Sequence, residues 1–294
     1  MTVRHLRIFV QVYQCGGITR AAEQCHMTQP AVTRSIHELE NYYSVCLFDR
    51  LNHRLTPTEA GKRLYAQALH LVDSFDALEF SLRNSDSAGM LRVGGSITIG
   101  NVLLPGLAKA FSAAYPAIRL QVTVNSGGLL EQALLDNELD LALIESTVEN
   151  PQLRAIPFQG DRMVLVLPPN HPLAYAHSVL FAELAEYPLL MREKSSAGRS
   201  FLNSLFATRG IPMRPLWESA STQALLQAVA AGLGVSILPE KLAAEAVKKG
   251  QVVCRSFADE SLEREYFIVY HQDKYLTPAM KALMALCKQT GTTG

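Results

Sequence analysis

Gln29, Thr33 and Arg34 bring an amide, a hydroxyl and a guanidinium together within six residues. An amide or a guanidinium can make paired hydrogen bonds to one base edge, and a hydroxyl can donate or accept. Thr28, Pro30 and His37 belong to the same run, and no acid occurs between Thr28 and His37. Val32, Ile36 and Leu39 recur at i, i+4 and i+7, so one face of a helix is apolar and the other polar. Thr28 is placed to cap this helix, and Pro30 falls in its first turn, where a missing N–H costs nothing. A polar face on a short helix is what major-groove reading needs. It is also what the solvated side of any all-helical domain looks like, so the pattern alone leaves both readings open.

The elements around that helix narrow the choice. A shorter helix is expected from about Ile18 to His26, with Ala21, Ala22 and Cys25 on one face and small enough for close approach. Leu6, Phe9, Val10 and Tyr13 form the apolar stripe of a first helix. After Leu47 and Phe48 comes Asp49 to Leu55, a short polar hairpin carrying Arg50, His53 and Arg54. Beside a helix-turn-helix it reads as a wing against phosphate or minor groove, and otherwise as a solvated hairpin. Thr56-Pro57-Thr58-Glu59 reads as a capping box that opens a long helix running to about Arg83. Leu64, Ala68, Leu71, Phe75, Leu78 and Leu82 repeat along it at spacings of 4, 3, 4, 3 and 4, a coiled-coil seam. About 27 residues make a rod roughly 40 Å long. This length favours a dimerisation and linker helix over one packed on its own domain. Asn84 to Gly89 reads as a hinge.

From Leu91 onward strands alternate with helices, in two sets of similar pattern. The fold class is therefore α/β overall: an N-terminal all-α winged helix-turn-helix, a linker helix, then two Rossmann-like lobes with a cleft between them. Leu139 to Ile144 is too apolar for a strand covered on one side only. A late strand at Glu265 to Tyr270 returns the chain to the first lobe. Ligands of such lobes bind where strands end and helix N-termini begin. Four junctions are rich in small donors. Ser96, Ile97 and Thr98 follow the first strand, and Ser126 and Gly127 the second. In the other lobe they are Ser195, Ser196 and Arg199, then Ser221 and Thr222. Hydroxyls and free backbone N–H groups favour a small anion, a carboxylate or an inorganic oxyanion. Simple helix capping is the competing reading of each junction.

Composition excludes several classes. Lysine plus arginine equals aspartate plus glutamate at 27 each, yet residues 1–63 hold eight basic against five acidic side chains. That modest bias suits limited phosphate contact per subunit. The five cysteines, Cys15, Cys25, Cys46, Cys254 and Cys287, include no Cys-x-x-Cys pair, so neither a disulfide framework nor a zinc site is indicated. A thiol-redox sensor would need Cys254 and Cys287 to act together. No long apolar run argues for a signal peptide or a membrane span, and a cytoplasmic location is expected. Gly94 to Thr98 begins like a nucleophile elbow but ends in Thr, and His37 to Asn41 begins like a zinc-binding helix but ends in Asn. No catalysis, metal or cofactor is expected. A binding protein whose N-terminal helices mediate only protein contact is the remaining rival.

Ala21-Ala22, Thr28 to Thr33, Ile36, Leu39-Glu40, Leu47-Phe48, Arg50, Leu55-Thr56 and Glu59-Ala60-Gly61 resemble the N-terminal signature of bacterial LysR-type transcriptional regulators. Cys25 stands where that family usually has Leu, and Tyr43-Ser44 replaces a common Leu-Gly. The resemblance implies a DNA-binding domain at 1–57, a linker helix and hinge at 58–88, and an effector-binding domain at 89–294. The last would have the type 2 periplasmic-binding-protein fold, with one lobe at about 89–161 and 268–294 and the other at about 162–267. It further implies that a homodimer or homotetramer reads an interrupted inverted repeat in double-stranded promoter DNA, with contact to RNA polymerase possible. A small-molecule effector would lie near the Ser96-Ile97-Thr98 turn.

Overall fold

A computed structural model describes residues 1–51, 54–83, 89–145 and 147–290; the side chains of Arg50, Leu51, Arg54, Ala77, residues 80–83 and Thr290 are outside the description. The expected hinge at 84–88, His53, the Leu82 side chain and the chain end at 291–294 therefore lie outside the described residues. The chain forms two units. One is Met1–Ala88 with Leu135–Asn137 and His271–Thr277; the other is Gly89–Leu134, Glu138–Tyr270 and Pro278–Gly294.

The first unit is built by helical apolar spacing. Its elements are α1 (Val3–Cys15), α2 (Ile18–Gln24), α3 (Gln29–Tyr43), the hairpin β1 (Phe48–Leu51) and β2 (Arg54–Pro57), and α4 (Glu59–Arg83). Phe9, Val12, Ala21, Val32 and Leu39 are wholly buried in one cluster. Ala21 and Ala22 lie inward as their small size requires. α2 stops at Gln24, two residues short of expectation, because His26 turns into the left-handed region at φ 53°. α3 ends the same way at Ser44, φ 55°, and the Val45 N–H closes back on the Glu40 carbonyl at 3.1 Å.

The start of α4 corrects the expected capping box. Thr56 pairs with Asp49 in the hairpin, so β2 holds its backbone extended through Pro57. The cap falls to Thr58, whose Oγ1 accepts from the Gly61 N–H at 3.0 Å and donates to the Cys46 carbonyl at 2.7 Å. Glu59 is then a first-turn residue that pairs with Lys62. Gly61 has no substitute here, since a Cβ would run into the Leu47 carbonyl. The seam of α4 divides. Leu64 and Ala68 pack into the core of their own unit, while Leu71, Phe75 and Leu78 remain 53%, 37% and 45% exposed.

The second unit opens with β3 (Met90–Gly95), α5 (Ile97–Val102), α6 (Leu104–Ala114), β4 (Arg119–Val124), α7 (Gly127–Leu135), β5 (Leu141–Ile144) and β6 (Leu153–Leu167). It continues with β7 (Ser178–Val179), β8 (Leu189–Arg192), α8 (Ala197–Thr208), β9 (Pro215–Ser219) and α9 (Thr222–Ala230). β10 (Ser236–Pro239), α10 (Glu240–Lys248), β11 (Val253–Phe257), β12 (Glu263–His271) and α11 (Pro278–Thr290) complete it. α6 starts afresh after α5, because Pro105 in its first turn has no N–H to continue the ladder.

One mixed sheet runs β4-β3-β5-β12-β6-β11-β7, with β10 also on β6. β3 is parallel to β4 and β5, whereas β12 is antiparallel to β5, and β10 and β11 are antiparallel to β6. β8 and β9 form a separate parallel pair. The two lobes thus share the long strands β6 and β12. β5 is buried at all four positions, as its apolar run requires. The Arg92 guanidinium clamps both oxygens of Asp140 at 2.7 and 3.2 Å and so fixes the entry to β5.

Candidate nucleic-acid interface and effector cleft

The outward face of α3 carries the first candidate site. Thr28, Gln29, Pro30, Arg34 and His37 are exposed and Thr33 is half-exposed, opposite the buried Val32, Ile36 and Leu39. Gln29, Pro30, Thr33, Arg34 and His37 line one shallow concavity. Thr28 holds the N-cap position with extended backbone, but its hydroxyl makes no cap hydrogen bond. Gln29 Nε2 donates to Thr19 Oγ1 at 3.1 Å, which steadies the amide from α2. Arg34 is 81% exposed, and its Nε donates to Glu38 Oε1 at 2.9 Å. Glu38 follows the acid-free run directly, one turn beyond Arg34, and sequence reasoning did not single it out. It also takes a 2.9 Å contact from His5, and the hydrogen bonds from His5 and then Arg34 hold its carboxyl below the usual range. The pairing leaves the two terminal nitrogens of Arg34 for other acceptors. The backbones of Arg50 and Arg54 lie in β1 and β2, in register with Leu55 and Leu51.

The second candidate site is the cleft of the α/β unit. Of the expected residues, Thr98, Ser196 and Arg199 line one enclosed cavity, and Gly127 and Ser195 line an open one of about 670 Å³. Glu145 and Arg264 border both. Several expected donors are used locally. Ser96 Oγ caps α5 by accepting from the Ile99 N–H, and Ser221 Oγ caps α9 by accepting from the Ala224 N–H. Thr222 Oγ1 accepts from Arg192 at 3.0 Å. The Ser126 carbonyl begins α7 by accepting from Leu130. Ile97 is half-buried at the start of α5.

Charges that sequence reasoning did not single out dominate the floor. Arg264 donates to Asp161 at 2.8 Å and lies 3.9 Å from Glu145, with all three side chains nearly sealed from solvent. Tyr266 donates to the same Asp161 oxygen at 2.8 Å; burial first, then that carboxylate's charge, push its phenol far above the ordinary range. Thr98 donates to Glu145 Oε1 at 3.0 Å. In the other lobe Arg192 grips both oxygens of Glu193, and Arg199 bonds Asn203, the Arg192 carbonyl and Glu218. Each guanidinium on this floor therefore already faces a carboxylate.

The remaining chemistry-bearing residues have local roles. His171 Nδ1 accepts from the Leu173 N–H in its turn. Burial pushes the Cys254 thiol up to about 11 and the Cys287 thiol to about 12, which suppresses the reactive thiolate. Among the described residues no group of three or more His, Cys, Asp or Glu could hold a metal ion, and no helix is long and apolar enough to cross a membrane.

Comparison with known proteins identifies the two domains. The family described as "Bacterial regulatory helix-turn-helix protein, lysR family" matches residues 3–62, and "LysR substrate binding domain" matches residues 84–292. The RuBisCO operon transcriptional regulator of Allochromatium vinosum is 31% identical over 284 residues, 96% of this chain and 94% of that protein. Full-length OxyR from Pseudomonas aeruginosa superposes with a TM-score of 0.71 at 26% identity, covering 98% of this chain and 93% of that one. The CcmR regulatory domain from Synechocystis in complex with 2-PG shares the fold of the α/β part. Its TM-score is 0.65 at 23% identity, over 70% of this chain and 98% of that one. The chain is a transcriptional regulator of the LysR family, with an N-terminal helix-turn-helix and an effector-binding domain.

Proposed function

We propose that this regulator acts as a homodimer or homotetramer that reads an interrupted inverted repeat in promoter DNA. α3 of each of two copies enters a major groove, and two-fold symmetry in the protein meets the repeat in the duplex. Gln29, Thr33 and Arg34 touch base edges; Thr28, Pro30 and His37 flank them, and Arg50, His53 and Arg54 lie against phosphate or minor groove. The observation that carries this reading is the polar, exposed face of α3 set against a fully buried apolar one. Copies pair through the exposed stretch of the α4 seam at Leu71, Phe75 and Leu78.

The effector is a small anion, a carboxylate or an inorganic oxyanion, bound in the cleft bordered by Thr98, Gly127, Ser195, Ser196 and Arg199. The 2-PG complex of the CcmR regulatory domain supports a small ligand for this fold. Effector binding changes the lobe angle, and α4 carries that change to the DNA-binding end, where contact with RNA polymerase is altered. Genomic footprinting with and without candidate anions tests the whole reading. Paired protected half-sites upstream of a gene are expected. Retention of no duplex, of any sequence, at low salt would refute it.

A further inference from the structure

Arg162, Arg192, Arg199 and Arg264 line cavities of the second unit, and each pairs with a carboxylate. Arg255, on β11, also lines a cavity but faces no carboxylate among the described residues; it bonds three carbonyls instead. Its Nε donates to Ala176 at 2.7 Å, its Nη1 to Cys254 at 2.7 Å, and its Nη2 to Ala174. The carbonyls fix the guanidinium in place and leave its charge uncancelled. A guanidinium has five N–H bonds, so one is left over on each terminal nitrogen. Those two can meet two oxygens of one carboxylate or phosphate group.

The cavity holds about 550 Å³, within the roughly 300–1,000 Å³ usual for small-molecule sites. Tyr175, His177 and Ser256 line it beside Arg255, and none of its lining residues belongs to the cleft cavities. Arg162 and Glu240 also border it, but Arg162 grips both Glu240 oxygens at 2.6 Å, so that pair adds no net charge. The balance is positive, in contrast to the cleft floor, where each guanidinium faces a carboxylate. His177 and Ser256 are exposed and make no side-chain hydrogen bond among the described residues. Tyr175 is 79% exposed, so its ring is available to cover the flat part of a ligand.

We infer that this cavity is a second ligand site, separate from the cleft, for an aryl-bearing oxyanion: its carboxylate or phosphate sits on the two spare N–H bonds of Arg255, and its ring lies against Tyr175. His177 and Ser256 supply further hydrogen bonds to the anionic group.

Titration calorimetry on the full chain tests it with phenyl phosphate, phenylacetate and uncharged benzyl alcohol. One of the two anions should bind, which tells phosphate from carboxylate, and the alcohol should not. Ser256→Glu sets a carboxylate in the cavity from an exposed position and should weaken that anion at least about fivefold. Ser195→Glu places the same charge in the cleft and should leave the affinity unchanged. Tyr175→Ala should weaken the aryl anion and leave inorganic phosphate unaffected. Arg255→Met should abolish binding; circular dichroism checks its fold, and Ser256→Glu decides the matter if that variant unfolds. Equal or greater loss in Ser195→Glu than in Ser256→Glu would put the anion in the cleft and overturn the inference, with the cleft reading intact. Binding of neither anion, or of benzyl alcohol as tightly as either, would overturn it as well.

Discussion

Truncating Arg34 separates base reading from simple attraction to DNA. The side chain is 81% exposed, and its one internal bond runs from Nε to Glu38 Oε1 at 2.9 Å. Both groups are solvated, so Arg34→Ala should leave the melting temperature unchanged, and any effect on DNA is an effect on recognition. With Nε held by Glu38, the two terminal nitrogens are free to straddle the two acceptors of one guanine edge. A bidentate contact of this kind discriminates by about 1–3 kcal/mol, or roughly 5- to 150-fold in the ratio of specific to random-sequence binding. A phosphate contact behaves otherwise: it weakens every duplex alike and lowers the slope of log affinity against log salt by about one. Fluorescence anisotropy with the footprinted site and a scrambled duplex, at several salt concentrations, reads both quantities. Arg34→Ala should lower affinity for the site with little change on the scrambled duplex and no change in its salt slope. Glu38→Ala should give a smaller loss in the same ratio by freeing the guanidinium to wander. Equal loss on both duplexes with a slope reduced by about one would refute base reading by Arg34.

Three further outcomes follow from the first unit. Glutamates in place of Leu71 and Phe75 put charge on an apolar strip that is 53% and 37% exposed, and light scattering should then report monomers. An intact dimer would move the interface elsewhere. Ser44→Gly removes the steric penalty of a left-handed residue at φ 55°. After the added entropy of the unfolded glycine it should gain about 1 kcal/mol, seen as a melting temperature higher by a few degrees. His70 is buried and stacked on His271 at 3.5 Å between ring centres. Burial, then the charges of His271 and Lys274, hold its pKa down to about 4 against 6.5 unfolded. The unfolded chain therefore binds the extra proton between those values, so stability is full above pH 6.5 and falls as pH drops towards 4, by up to about 3 kcal/mol. Denaturant titrations of wild type and His70→Phe should differ in that window, the variant being flatter.

The elements of the first unit were legible because each announces itself locally. Val32, Ile36 and Leu39 give the period of α3, and its polar face is the complement of that stripe. The start of α4 was misplaced because Thr56 and Thr58 are chemically alike, and only the pairing of Thr56 with Asp49 decides which one caps. The first half of β6 is partly exposed and carries no apolar run, so the sequence pattern marks only its second half. β7 has only two residues and β11 is mostly half-buried, so neither shows an apolar period. The cleft was legible as a place and not as a chemistry. Junction hydroxyls were visible, yet Ser96 and Ser221 serve as caps. The charged floor joins Asp161 to Arg264 across 103 positions, and no local pattern spans that distance.

One signal for it was nevertheless present. Glu263-Arg264-Glu265 looks like a solvated charge run, the usual fate of such a tripeptide. But strand side chains alternate, and Arg264 has the parity of Tyr266 and Ile268, both of which point inward. An arginine on the buried parity of a strand must find a carboxylate or leave a costly charge unpaired. Among the described residues the acids that meet it are Glu145, just past β5, and Asp161, within β6, the two strands that flank β12. Parity together with sheet order therefore predicts the Glu145, Asp161 and Arg264 cluster once the topology is known. Parity alone, applied to the sequence, would already have marked Arg264 as a residue with an inward task.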